Sequence, residues 1–223
     1  MSIISTNYVK YQVHYRNSWI LFIFIIVTSA LLTLAGQYLL LYDELYFNAL
    51  SEQMTFEQIE TLIDQNHQWS WLSYIILSVL NFLKFTFVAS CLSLGYYFGN
   101  NSWTYKPFFR VAIQAELVLL LPSVIKLLWF LFIQTDYNLN DLQVFYPLSI
   151  LSLIGADSVA SYLLYPLQLA NLFELAYWFV LAYGVSQIIN FSIARAFGLV
   201  ASSYGSGLLI WVVFIMFLTV SLS

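Results

Sequence analysis

Apolar residues in this chain do not alternate with polar ones. They come in runs, and five runs are long enough to cross a bilayer, which takes about 20 mostly apolar residues in a helix. The first is 19–41, "WILFIFIIVTSALLTLAGQYLLL"; the others are 70–99, 108–133, 165–189 and 196–222. Long runs without a two-residue period argue for helices and against a lipid-facing barrel. The expectation is an all-α fold: one polytopic transmembrane helical bundle of five spans, covering 1–223 as a single membrane domain. The polar start, "MSIISTNYVKYQVHYRNSW", is long for a cleavable signal peptide, so the first run reads as a retained anchor.

Two pieces between the runs have patterns of their own. In "TFEQIETLIDQ", Thr55 is followed three residues later by Gln58, the spacing of a capping box. Phe56, Ile59, Leu62 and Ile63 recur at helical spacing, with Glu57, Glu60 and Asp64 on the other face. This predicts a short amphipathic helix over 55–65, lying on the outer surface or over the bundle mouth. The second piece, 142–155, "LQVFYPLSILSLIG", is apolar but too short to span and is interrupted by Pro147. An interfacial or re-entrant segment is expected there, with Tyr146 and Pro147 at the interface.

Composition sharpens the class. Only 8% of the residues are charged and 61% are hydrophobic, against about 25% charged in a soluble domain. The basic residues Lys10, Arg16, Lys106, Arg110 and Arg195 fall on one side of the five-span arrangement. Asp43, Glu44, Glu52, Glu57, Glu60, Asp64, Asp136, Asp141 and Asp157 fall on the other. Basic loops stay in the cytoplasm, so the N-terminus is expected inside and the C-terminus outside. The expected location is a bacterial inner membrane, from the Phe/Tyr/Asn/Ile-rich composition. Trp residues near span ends fit an aromatic belt.

Little in the chain points to a reaction. There is no phosphate loop, zinc helix or nucleophile elbow. Cys91, His14 and His67 cannot assemble a structural zinc site. No metal, cofactor or nucleic-acid partner is expected, and no enzymatic activity. Gly205 and Gly207 lie inside a span, where small residues permit close helix packing.

Four ionisable residues remain inside spans: Lys84, Glu116, Lys126 and Glu174. Each costs about 2.5–3.5 kcal/mol at a helix centre on insertion scales, so pairing is expected. Counting residues from the outer span ends puts Lys126 and Glu174 at one depth and predicts that they pair. Lys84 and Glu116 form the second expected pair, the lysine stem leaning inward. Asn81 and Asn171, one turn from Lys84 and Glu174, are the expected supporting hydrogen-bond partners. The charges then either fix helix register, line a polar cavity for an ion or proton, or face another membrane protein.

The stretch "NLFELAYWFVLAYGVSQIINFSIARAFGLVASSYGSGLLIWVVFIMFL" resembles the Yip1 family of small five-span membrane proteins. The carrying features are an aromatic-rich span with Gly184, the step Ser192, Arg195, Ala196, and a final apolar span. The resemblance implies a non-enzymatic membrane adaptor. The functional expectation is therefore an accessory protein associating with membrane lipids and other membrane proteins. The alternative is a small transporter or channel subunit using the Lys/Glu cluster.

Overall fold

A computed structural model of the chain describes the backbone of residues 2–222 and the side chains of 19–222. Lys10, His14 and Arg16 lie outside the described side chains. Among the described residues nine α-helices follow one another: α1 (Ser2–Leu40), α2 (Asp43–Leu50), α3 (Phe56–Asn100), α4 (Tyr105–Phe132), α5 (Leu139–Val144), α6 (Ile150–Ile154), α7 (Ser161–Leu169), α8 (Leu172–Ile189) and α9 (Ile193–Leu222), with a 3-10 turn at Ala156–Ser158. Among the described residues five stretches are long and apolar enough to cross a membrane: Trp19–Leu40, α3, α4, α8 and α9. The protein is a helical membrane-spanning bundle.

α3, α4, α8 and α9 form a ring in which each packs on the next, and α1 lies outside it against α4 and α3. The core holds Phe85, Val88 and Leu92 of α3, Phe108 and Val111 of α4, Leu181 and Val185 of α8, and Val200 of α9. α1 adds only Ile25. In lipid, apolar burial gives helices little reason to associate, and close contact must supply it. Small side chains make that contact: Ala89, Ala112, Ala115, Ala182 and Ala196 are all buried. The glycines are closer still. A Cβ at Gly95 would lie 2.5 Å from Ser203 Cβ, and one at Gly184 would lie 2.6 Å from Val111 Cγ1. Gly205 abuts Trp178 and Gly207 abuts Cys91, so both serve close packing.

Two element boundaries differ from the hydropathy reading. The amphipathic stretch over 55–65 and the second span are one helix, α3, of 45 residues. The capping box is present, with Gln58 accepting from Thr55 N at 2.9 Å. Ile59 and Ile63 are buried while Glu57, Glu60 and Asp64 are exposed. No Gly or Pro separates this stretch from the apolar run, and Asn66 and Ser70 lie within the helix without capping it, so the helix simply continues. At 1.5 Å per residue it is about 68 Å long, over twice the hydrocarbon thickness. The second difference is the fourth span. It is not continuous over 165–189 but breaks between α7 and α8, at Ala170 and Asn171. α8 alone is 18 residues, or about 27 Å.

The segment from Leu139 to Ser158 does not span. It folds back in pieces against the acidic ends of the long helices. Tyr137 donates to Leu40 O at 3.0 Å, and Leu142 joins Leu40, Leu45 and Phe130 in a second apolar cluster. Trp129 stacks on Phe145. Pro147 is buried and Tyr146 half-buried, so both turn into the protein rather than out to the interface.

Close packing gives a direct test. Gly95→Ala and Gly184→Ala are expected to destabilise the protein by about 1–3 kcal/mol each, the usual cost of overpacking. Gly36 has nothing within 4 Å of its Cβ position, so Gly36→Ala should be neutral or stabilise α1 by up to about 1 kcal/mol. Thermal unfolding in mild detergent reads all three, and equal losses would contradict the packing scheme.

Candidate functional site

The break in the fourth span is where the polar chemistry concentrates. Interrupting a helix leaves carbonyls at the end of α7 and N–H groups at the start of α8 without intrahelical partners. Here the fold-back segment satisfies them. Ile150 N donates to Ala170 O at 3.0 Å and Leu172 N donates to Leu148 O at 3.3 Å, forming an antiparallel bridge between Ser149 and Asn171. Leu148 adopts a left-handed φ of 56° to make the turn.

Asn171 joins both sides of the break. Its Oδ1 accepts from Glu174 N at 2.8 Å, capping α8. Its Nδ2 donates to Gln168 O and Leu169 O at the end of α7. Gln168 in turn donates to the carbonyls of Gln143 and Val144 at the end of α5. Asn171 thus supports Glu174 through the backbone, not through the carboxylate.

Glu174 sits in the first turn of α8, where the helix dipole favours a negative charge. Its Oε1 accepts from Trp178 Nε1 at 3.0 Å and from Tyr204 OH of α9 at 2.8 Å. Tyr204 packs edge-on against Tyr177. On the facing side of the ring, Lys84 Nζ of α3 donates to Glu116 Oε1 of α4 at 2.8 Å. The same ammonium lies 5.6 Å from the centre of the Tyr177 ring, within cation–π range. Glu116 and Glu174 lie within electrostatic reach of each other. Both also act on Tyr146: burial first, then these two carboxylates, pushes its phenol up to about 12. The cluster therefore draws on α3, α4, α8, α9 and the fold-back segment.

Lys126 does not pair with Glu174. Its ammonium donates to the backbone carbonyl of Leu142 in the fold-back segment. The reason is depth. A span starting at 165 puts Glu174 level with Lys126, whereas the helix that holds Glu174 starts at Leu172. Counted from the basic ends, Glu174 lies about 22 Å up α8 and Lys126 about 31 Å up α4. Lys84 comes out about 24 Å up α3 and Glu116 about 16 Å up α4, so Glu174 shares its level with that pair instead. Asn81 does not reach Lys84 either, and its Nδ2 is buried with no hydrogen-bond partner.

Three further buried atoms have no partner: Thr86 Oγ1, Glu116 Oε2 and Tyr177 OH. Tyr177 is fully buried and Glu116 is 5% exposed. Buried polar groups are nearly always satisfied, so a carboxylate oxygen and a phenol without a protein partner set this cluster apart from the rest of the core. Tyr177 and Tyr204 are the members that the sequence reading missed. Their signal was their spacing from Glu174 and the final span, and the general abundance of Tyr hid it.

Among the described residues no group of His, Cys, Asp and Glu is arranged to hold a metal ion. Compared with known protein families, characterised proteins and solved structures, the chain matches none of them.

Double-mutant cycles test the two assignments. Removing one member of a fully buried pair costs about 3–5 kcal/mol. Lys84→Met and Glu116→Gln should each cost less than that, because the lysine side chain is 37% exposed. The double mutant should regain part of the loss. The Lys126→Met and Glu174→Gln cycle should instead be additive within about 0.5 kcal/mol. A coupling above that between Lys126 and Glu174 would reverse the assignment.

Proposed function

We propose that this protein is a small transporter or channel subunit whose working part is the Lys84–Glu116–Glu174 cluster. The observation that carries the reading is the broken fourth span. A spanning helix that starts afresh after a break, with a buried carboxylate in its first turn beside further buried ionisable groups, resembles the interrupted helices with which transport proteins build sites for polar cargo. Purely structural pairs do not need such a break, and they do not leave Glu116 Oε2 and Tyr177 OH open. Intramembrane charges are costly and point first to function.

The accessory reading is the second. The Yip1 resemblance supports it, as does the acidic first turns of α3, which offer a docking surface beyond the bundle. In that case the cluster fixes helix register, and the chain works beside another membrane protein without moving a solute. Neither reading calls for an enzymatic step.

The orientation we propose has the basic loops inside and the acidic end of the bundle outside, in a bacterial inner membrane. The separation of Lys106, Arg110 and Arg195 from the acidic residues supports it. In a Cys91→Ala background, a cysteine at Glu57 should react with an impermeant thiol reagent added to intact cells, and one at Lys106 should not. The reverse pattern would invert the topology.

Reconstitution separates the two functional readings. The purified protein in liposomes should dissipate an imposed ion or pH gradient. Glu174→Gln and Lys84→Met should lower the rate at least about tenfold while the protein still folds, which corresponds to about 1.4 kcal/mol of lost function. Silent liposomes, together with a stoichiometric membrane partner co-eluting in mild detergent, would favour the accessory reading.

A further inference from the structure

One stripe of α4 changes neighbour from turn to turn. Phe109, Glu116, Ser123 and Phe130 recur every seven residues, so they share one face of the helix. Phe109 packs edge-on against Phe82 and Phe85 of α3, and Glu116 accepts from Lys84 of α3. Phe130 is buried with Leu40 and Leu142. Ser123, between them, is exposed, and its hydroxyl makes no hydrogen bond within the described residues. At this level α3 has left α4. The other helix shows the same departure, since no residue of α3 between Ile63 and Phe85 is buried. The half-buried side chains of α3 in that stretch include Tyr74, Ser78 and Asn81, a polar row at helical spacing. Tyr74 donates to Gln37 of α1 at 3.0 Å, and α1 packs on both helices, so it backs the gap from outside the ring. A polar crevice is left between α3 and α4. The Lys84–Glu116 pair is its floor, and Lys126, held at the Leu142 carbonyl, is at its rim.

We propose that this crevice binds a small oxyanion, a phosphate or a carboxylate, between Ser123 and Lys126. The groups that it presents are hydrogen-bond donors. The Lys84 side chain is 37% exposed and the Glu116 side chain 7%, so the positive member of the pair is the accessible one. Lys126 makes one hydrogen bond, to a carbonyl, and an ammonium has three N–H groups to give. Among the described residues Lys84–Glu116 is the one ion pair, and residues 1–18 contain no Asp or Glu. Lys126 therefore has no acidic side chain paired with it. Asn81 Nδ2 is a further donor without a partner. The acids outside do not cancel this. Asp141, next to Leu142 in the chain, already accepts from Asn138 N at 3.0 Å. Asp64 lies about 15 Å along α3 from Tyr74, beyond the Debye length of about 8 Å at physiological salt. A bound oxyanion supplies the counter-charge that a lysine in a spanning helix otherwise lacks. The site goes beyond the transport reading and does not rest on it.

Thiol accessibility of the purified full-length protein in detergent tests this without a gradient, so failure here is distinct from silent liposomes. In the Cys91→Ala background, Ser123→Cys should react with charged methanethiosulfonate reagents. Leu121→Cys, on the opposite face of α4, should not. Relative to a free thiol in solution, Ser123→Cys should favour the sulfonate-bearing reagent over the trimethylammonium-bearing one by about threefold or more. Adding Lys126→Gln should return that ratio to the free-thiol value, and adding Lys126→Arg should keep it. Sodium phosphate or sodium acetate should slow the reaction relative to sodium chloride of equal ionic strength, and the stronger protector identifies the oxyanion. The proposal is overturned by an unreactive Ser123→Cys, by a ratio equal to that of the free thiol, by a preference that survives Lys126→Gln, or by protection from neither salt. Where Lys126→Gln fails to fold, the ratio in Ser123→Cys and the protection by salts still decide.

Discussion

Everything polar in this bundle depends on one constraint: a backbone group at membrane depth must find its partner within the protein. The break between α7 and α8 violates helical continuity, and the fold-back segment restores the missing bonds through Ile150 and Leu172. Asn171 ties the two helix ends together from the side-chain direction. Without that stitching, α7 and α8 would gain by fusing into one helix. Glu174 would then leave its position in a first helical turn. The location of the carboxylate is thus a consequence of how the chain around it is hydrogen-bonded.

Two kinds of packing meet at the cluster. The basic half of the ring is held by small residues in close contact, as at Gly95 against Ser203 and Gly184 against Val111. The acidic end is held by aromatic stacking of larger side chains, with Phe130, Trp129 and Phe145 around the fold-back segment. Glu116, Tyr177 and Glu174 lie between these regions. The buried residues of α9, namely Ala196, Val200 and Tyr204, all lie in its first half. Beyond Tyr204, α9 still packs against α7, with Trp211 donating to Tyr165 OH at 2.9 Å, while its outer face, including Leu209, Ile210 and Phe217, is exposed like that of α1 and left for lipid or a membrane partner to cover.

Much of this was legible in the sequence because length and apolar content report directly on spanning helices. The five runs, the capping box at Thr55 and the failure of 142–155 to span follow from local pattern alone. The break at Asn171 did not, because hydropathy is blind to backbone geometry. An apolar run reads the same whether its helix is whole or interrupted. A local signal did exist: Asn171 and Glu174 have the Asn-x-x-Glu spacing of a helix start, behind Pro166. Missing it displaced the depth of Glu174 and assigned it the wrong lysine. The fusion of 55–65 with the second span escaped notice for a related reason, since a change from amphipathic to wholly apolar pattern looks like a boundary even when no residue ends the helix. The partner of Lys126 was out of reach of any pairing argument built on side chains, because it is a main-chain carbonyl.

The stitch also has a place in time. Ser149 and Asn171 are close in the chain, and the fold-back strap precedes the break that it closes. Closing so short a loop carries a small entropic cost, and contacts of low sequence separation form early. The strap also precedes α8, the spanning helix of lowest mean hydropathy, in the chain, so it is synthesised before the helix it braces. The break at the start of α8 is thus closed by a segment that the ribosome has already delivered.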